Sequence, residues 1–115
     1  MSAAGRPRLT LGPDLERLSL NTATVRGRGL LEAIDACARA GVPWIAPWRD
    51  QLEALPAARA GRAIADAGLR ASSLCRGGFF PAATAPERRE RIEDKLSAID
   101  EAAALGADVL VLVCG

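Results

Sequence analysis

The sequence predicts an α/β fold in which four parallel strands alternate with three helices. Three observations carry this. The unit of apolar helix, glycine and strand occurs three times, at Gly41-Val42, Gly68-Leu69 and Gly106-Ala107, with successive glycines about 30 residues apart, the size of a βα unit. Alternation of strand and helix at that pitch makes the strands parallel and the crossovers right-handed. The run VLVLVC (Val109–Cys114) is apolar at every position, as a strand covered on both faces must be.

Each element has its own signal. Residues 1–14 mix Gly5, Arg6, Pro7, Arg8, Gly12 and Pro13 with few apolar anchors and are expected to form a flexible leader to one domain, 15–115. Leu15 to Asn21 is a short extended candidate. Leu30 to Ala40 then sets Leu30, Leu31, Ile34, Cys37 and Ala38 on one helical stripe, opposite Glu32, Asp35 and Arg39. Gly41 caps that helix, because it reaches positive φ without a Cβ clash. Val42 to Trp48 reads as the second strand, with Pro43 at its start and Pro47 marking the end of regular pairing. The second helix runs from about Pro56 to Ala67, with Ile64 inward and Arg59, Arg62 and Asp66 outward. Gly61 within it costs about 1 kcal/mol relative to alanine, so this helix depends on packing. Leu69 to Arg76 is the third strand, ended by Gly77-Gly78. Thr84-Ala85-Pro86-Glu87 has the form of a capping box, and Ile92, Leu96, Ile99 and Ala103 recur after it at helical spacing. Gly106 closes that helix before the fourth strand.

Composition narrows the function. The chain has 115 residues, half of them apolar, and a net charge of +1. That length excludes a complete (β/α)8 barrel, which needs about 200 residues or more. Near-neutral charge argues against nucleic acid as a partner. The run ERRERIEDK (Glu87–Lys95) contains four acidic residues and reads as a solvated helix face with pairs Glu87–Arg91 and Arg89–Glu93. Histidine, the commonest metal ligand and neutral-pH base, does not occur. Cys37, Cys75 and Cys114 are too scattered for a disulfide framework and read as buried thiols of a reducing cytoplasm. Neither a secretory signal nor an apolar run of about 18 residues occurs, which argues against a membrane partner.

Parallel α/β folds build sites at the carboxyl ends of their strands. Those ends are Asn21 to Thr24, Trp48-Arg49-Asp50, Arg76 to Phe80, and Gly115. Arg49 and Arg76 offer guanidinium forks suited to carboxylate, phosphate or sugar oxygens. Trp48 offers an apolar wall, and Gly77-Gly78-Phe79-Phe80 is a long connection. Gly27-Arg28-Gly29 opens like a dinucleotide fingerprint but lacks its third glycine. Asp50 and Glu53 are the carboxylates near strand ends, so no self-contained metal site is expected and no catalytic residue is assigned. Both a small open sheet and half of a barrel fit the count of elements. A terminal strand as apolar as Val109–Cys114 favours the half barrel, and its exposed edge suggests a homodimer formed through strand edges.

The segments LSLNTAT (Leu18–Thr24), AGVPWIAPWRD (Ala40–Asp50), AGLRASSLCRGGFFPA (Ala67–Ala82) and IDEAAALGADVLVLVCG (Ile99–Gly115) resemble the amino-terminal half of sugar phosphate isomerase/epimerase proteins, within the xylose isomerase-like TIM barrel superfamily. The resemblance runs from about Arg17 to Gly115, and SSLCRGGFF is its most specific part. It implies a partial (β/α)8 TIM barrel and a metal-dependent isomerase or epimerase of a sugar or keto compound. The divalent metal (Mn, Mg or Zn) of such a barrel is held by carboxylates and histidine from later strands, so this chain inherits no metal role and is expected to be catalytically incomplete. What the resemblance carries over is a substrate-facing position for Asn21, Trp48, Arg49 and Arg76.

Overall fold

A computed structural model describes residues 13–114. The expected leader lies almost wholly outside the described residues, as does Gly115. At Pro13 the chain enters a 3-10 turn, Pro13–Arg17, so Leu15–Arg17 are not extended and the first strand, β1, is only Ser19–Asn21. β1 pairs in parallel with β2 (Trp44–Ala46), and β2 with β3 (Arg70–Ala71). β4 (Leu74–Gly78) pairs in parallel with β5 (Leu110–Val113).

The single expected strand Leu69–Arg76 is therefore two, broken at Ser72 and Ser73, and Gly77-Gly78 does not end it: both glycines lie in β4, paired with Leu112 and Val113. Ser72 donates its backbone N–H to the Ile45 carbonyl at 2.9 Å and exchanges a 2.6 Å hydrogen bond with the Ser19 hydroxyl. The two ladders meet just beyond. Cys75 N–H donates to the Pro47 carbonyl at 3.0 Å, and Trp48 bridges to Cys75 in parallel. Pairing thus continues past Pro47, because proline lacks a donor but keeps its acceptor. The strands follow one another in chain order.

Three helices cover one side: α1 (Leu30–Ala40), α2 (Ala57–Asp66) and α3 (Ala85–Leu105). Their buried side chains, among them Ile34, Cys37, Ile64 and Leu105, form one cluster with Ile45, Ala71 and Leu74 of the strands. Gly41 and Gly106 end α1 and α3 in left-handed geometry, φ 74° and 78°, so the chain turns straight into the next strand. Thr84 caps α3 by accepting from Glu87 N–H at 3.3 Å. Glu87 returns to the Ala83 N–H at 3.1 Å, so it caps rather than pairing with Arg91. Among the described residues neither Glu87–Arg91 nor Arg89–Glu93 forms an ion pair.

Two faces differ from expectation. In α1, Ala33 is buried and Leu31 is 56% exposed. In α3, Ile92, Leu96 and Ile99 are all exposed, while Lys95, Ala98, Ala102 and Leu105 are buried. Close packing selects that face. A Cβ on Gly61 of α2 would lie 2.3 Å from the Ala104 carbonyl oxygen, so α3 approaches through its small residues. β5 also departs from a strand covered on both faces, since Val111 and Leu112 are 40% and 47% exposed. Cys37 and Cys75 are buried thiols as expected; Cys114 is exposed.

Candidate functional site

Three of the four sequence-expected site residues come together where β1, β2 and β4 end. Asn21 closes β1. Its side-chain oxygen accepts from Ala23 N–H at 3.0 Å, capping the 3-10 turn Thr22–Val25. The same oxygen accepts from the indole Nε1–H of Trp48 at 2.7 Å, which fixes the ring across the ends of two strands. Below them Thr22, only 2% exposed, donates to Gln51 Oε1 at 2.5 Å, and that oxygen also faces the Trp48 N–H at 3.4 Å. Asn21, Thr22, Trp48 and Gln51 are thus one hydrogen-bonded unit, and such units hold an aromatic wall in a single orientation.

Arginines gather on that wall. The Arg76 guanidinium lies 5.7 Å from the Trp48 ring centroid and 4.5 Å from that of Phe79. Arg26, in the loop after β1, lies 5.7 Å from the same indole. Both distances are within cation–π range. A cavity of about 270 Å³ opens here, lined by Thr22, Arg26, Arg28, Trp48, Asp50 and Gln51. Its concave mixture of one aromatic wall, hydroxyl, amide and guanidinium groups suits a small polyhydroxylated molecule.

Arg49 does not join this cluster. It turns to α3, donating from Nε to Glu101 Oε2 at 2.6 Å and from its terminal nitrogens to both Asp94 oxygens at 3.0 and 3.2 Å. Hydrogen bonding to Asp94 raises the Arg49 pKa further, and Arg49 and then Lys95 hold the Asp94 carboxyl below its ordinary range. Asp94 is half exposed, so this pair mainly anchors α3 to the turn after β2. Burial pushes the Cys75 thiol up, against the pull of the adjacent Arg76 charge, which leaves it protonated and unreactive near neutral pH.

Sequence reasoning missed Arg26, Thr22 and Gln51. Arg26 had a usable signal, since it follows a strand end as Arg49 does. Thr22 and Gln51 had none, because their pairing joins two loops 29 residues apart. No three His, Cys, Asp or Glu side chains come together to hold a metal ion among the described residues. Asp50 is the single carboxylate lining the cavity. This donor set does not fit a divalent metal.

Comparison with solved structures decides the architecture. The chain superposes with a TM-score of 0.69 on a xylose isomerase domain-containing protein from Salmonella typhimurium LT2, at 14% identity, covering 88% of this chain and 38% of that one. With a xylose isomerase-like TIM barrel/4-hydroxyphenylpyruvate dioxygenase fusion protein it gives a TM-score of 0.71 at 18% identity, covering 82% of this chain and 15% of the fusion. The chain has the fold of part of a xylose isomerase-like TIM barrel. In such a barrel strands follow chain order and helices lie outside, as β1 to β5 and α1 to α3 do. A more similar structure is protein SMc04130 from Sinorhizobium meliloti 1021, with a TM-score of 0.83 and 52% identity. It is matched over 88% of this chain and 37% of its own length, so the chain spans well under half of that relative. No family model and no curated protein matches the chain. No described helix is long and apolar enough to cross a membrane.

Proposed function

We propose that this chain supplies the substrate-facing rim of a sugar phosphate isomerase/epimerase-like barrel, acting on a sugar or keto compound. The observation that carries this reading is the Asn21–Trp48 hydrogen bond at the carboxyl ends of β1 and β2, where barrels of this kind place their sites. The fixed indole stacks on the apolar face of a sugar, while the Asn21 amide N–H groups and the cavity's arginines donate to its hydroxyl and carbonyl oxygens. Binding and orientation are this chain's work. A divalent metal such as Mn, Mg or Zn in the complete barrel would be held by other strands, since the side chains lining this cavity do not fit one. The three free thiols fit a cytoplasmic setting.

The test is a titration of the purified chain with ribose and ribulose, read by tryptophan fluorescence, beside an isomerase assay with Mn2+ or Mg2+. Saturable quenching lost in Trp48→Phe, without turnover, supports the reading. Metal-dependent turnover by the chain alone contradicts its incompleteness, and an unchanged signal on addition of sugar contradicts the rim.

A second reading draws on the exposed side chains of β5. Val111 and Leu112 are exposed on β5, which pairs with β4 alone, and Ile92, Leu96 and Ile99 are exposed on α3. We propose that two copies pair through these edges, giving a non-catalytic homodimeric module. Light scattering distinguishes this reading, which a well-folded monomer at high concentration contradicts.

A further inference from the structure

We infer that Gln51 is a specificity-determining residue of the cavity beside Trp48, its side-chain amide held so that the N–H2 end donates to one hydroxyl oxygen of the bound sugar. This rests on the sugar-binding reading of the same site and names the group there that selects one oxygen of the ligand. Gln51 lies in the turn Arg49–Leu52 after β2 and lines the cavity. Its oxygen is already engaged. Oε1 accepts from the Thr22 hydroxyl at 2.5 Å and faces the Trp48 backbone N–H at 3.4 Å. Those contacts decide which end of the amide is which. A backbone N–H only donates, so a flipped amide would set its own N–H2 against another donor. Thr22 is buried, and its other acceptor, the Ala46 carbonyl, lies at 3.4 Å, so the hydroxyl proton goes to the nearer Gln51 oxygen.

An ordinary surface glutamine turns freely about its last torsion and offers either end to a ligand. Here the oxygen is turned inward by a buried hydroxyl, and the nitrogen is the end left for the cavity. Among the described residues Nε2 donates to no other group. A carboxamide whose oxygen is engaged in this way is a donor alone, so it accepts a ligand oxygen and gives nothing to a ligand N–H. Because the amide is fixed before the ligand arrives, little rotational freedom is lost on binding. Thr22 acts through Gln51 and is a positioning residue, with its hydroxyl setting the orientation that the ligand meets.

The experiment is calorimetric titration of the intact chain and its variants with ribose and with the four singly deoxygenated forms of ribose. Gln51→Glu keeps an oxygen for Thr22 and for the Trp48 N–H, so the tie between the two loops stays, but it offers the ligand no N–H. Gln51→Met removes the donor without adding charge. Both are expected to weaken ribose binding about five- to tenfold. One deoxy form, lacking the oxygen that Gln51 selects, is expected to bind the parent and Gln51→Met with equal affinity, while the other three weaken as ribose does. Thr22→Val frees the amide to rotate and is expected to reproduce part of the loss, which Thr22→Ser restores. A circular dichroism spectrum unchanged from the parent shows that each variant folds. Ribose affinity untouched by both Gln51 variants, or an equal loss for ribose and all four deoxy forms, overturns this inference and leaves the sugar reading standing. A Thr22→Val variant that binds as the parent does overturns the role of the buried hydroxyl. Absence of binding by ribose and every deoxy form overturns both the inference and the sugar reading.

Discussion

The indole Nε1–H of Trp48 donates to the side-chain oxygen of Asn21 at 2.7 Å, tying the end of β2 to the end of β1. The bond spans 27 residues of sequence and decides which way the aromatic wall of the cavity faces. Asn21→Ala removes its acceptor and also the cap on Ala23 N–H. The expected result is a shifted and broadened indole N–H resonance and a loss of sugar affinity of about five- to tenfold, since one such hydrogen bond contributes about 1 kcal/mol. Titration of the variant followed by NMR measures both.

Gly61→Ala sets two effects against each other. Alanine is favoured over glycine inside a helix by about 1 kcal/mol. Here its Cβ would lie 2.3 Å from the Ala104 carbonyl oxygen, against backbone that cannot rotate aside. Overpacking of that kind costs about 1–3 kcal/mol, so the clash wins. Urea denaturation should show a lower midpoint for the variant, and a rise would place α3 farther from α2.

Leu74 is fully buried at the start of β4, in the cluster that joins strands and helices. Leu74→Ala is expected to lower unfolding free energy by about 2–5 kcal/mol. Chemical denaturation checks it. A much smaller loss would mean that the helices do not close over the strands as described.

The Arg49–Asp94 pair predicts a pH dependence. Asp94 titrates below its ordinary value when folded, so it contributes stability above the unfolded carboxyl pKa of about 3.9 and loses it as pH falls through the lower folded value. Asp94 is 51% exposed, so the contribution is at most about 1 kcal/mol. Thermal unfolding of the parent and Asp94→Asn should differ near pH 7, with the gap closing below about pH 4.

Much of the fold was legible in the sequence, and the reasons are local. The glycines at 41 and 106 take the left-handed geometry that their place after an apolar helix implies. Thr84 caps α3 as its spacing to Glu87 suggested. What local pattern could not show was which side of α3 faces inward. Ile92, Leu96 and Ile99 form the more apolar stripe, yet Ala98, Ala102 and Leu105 are buried, where the α3 backbone at Ala104 and Leu105 lies against Gly61 of α2. Nor could it show that Ser72 meets Ser19, 53 residues away, at the break in the third strand.

The site was readable to the extent that strand ends are. Asn21 ends β1, Trp48 lies just past β2 and Arg76 lies within β4, and the three converge. Arg49 also lies just past β2, but the residue pair that attracts it, Asp94 and Glu101, sits on a helix far along the chain. Sequence spacing carries no information about such a competitor.

The central claim is that the carboxyl ends of β1, β2 and β4 form a sugar-binding rim. A nitrogen-15 NMR titration of the chain with ribose 5-phosphate measures this most directly. The account predicts saturable shifts of the Trp48 indole and of residues 21–28, 48–51 and 76–79, with the amides of α2 unmoved. Shifts confined to other surfaces, or none at saturating sugar, would contradict it.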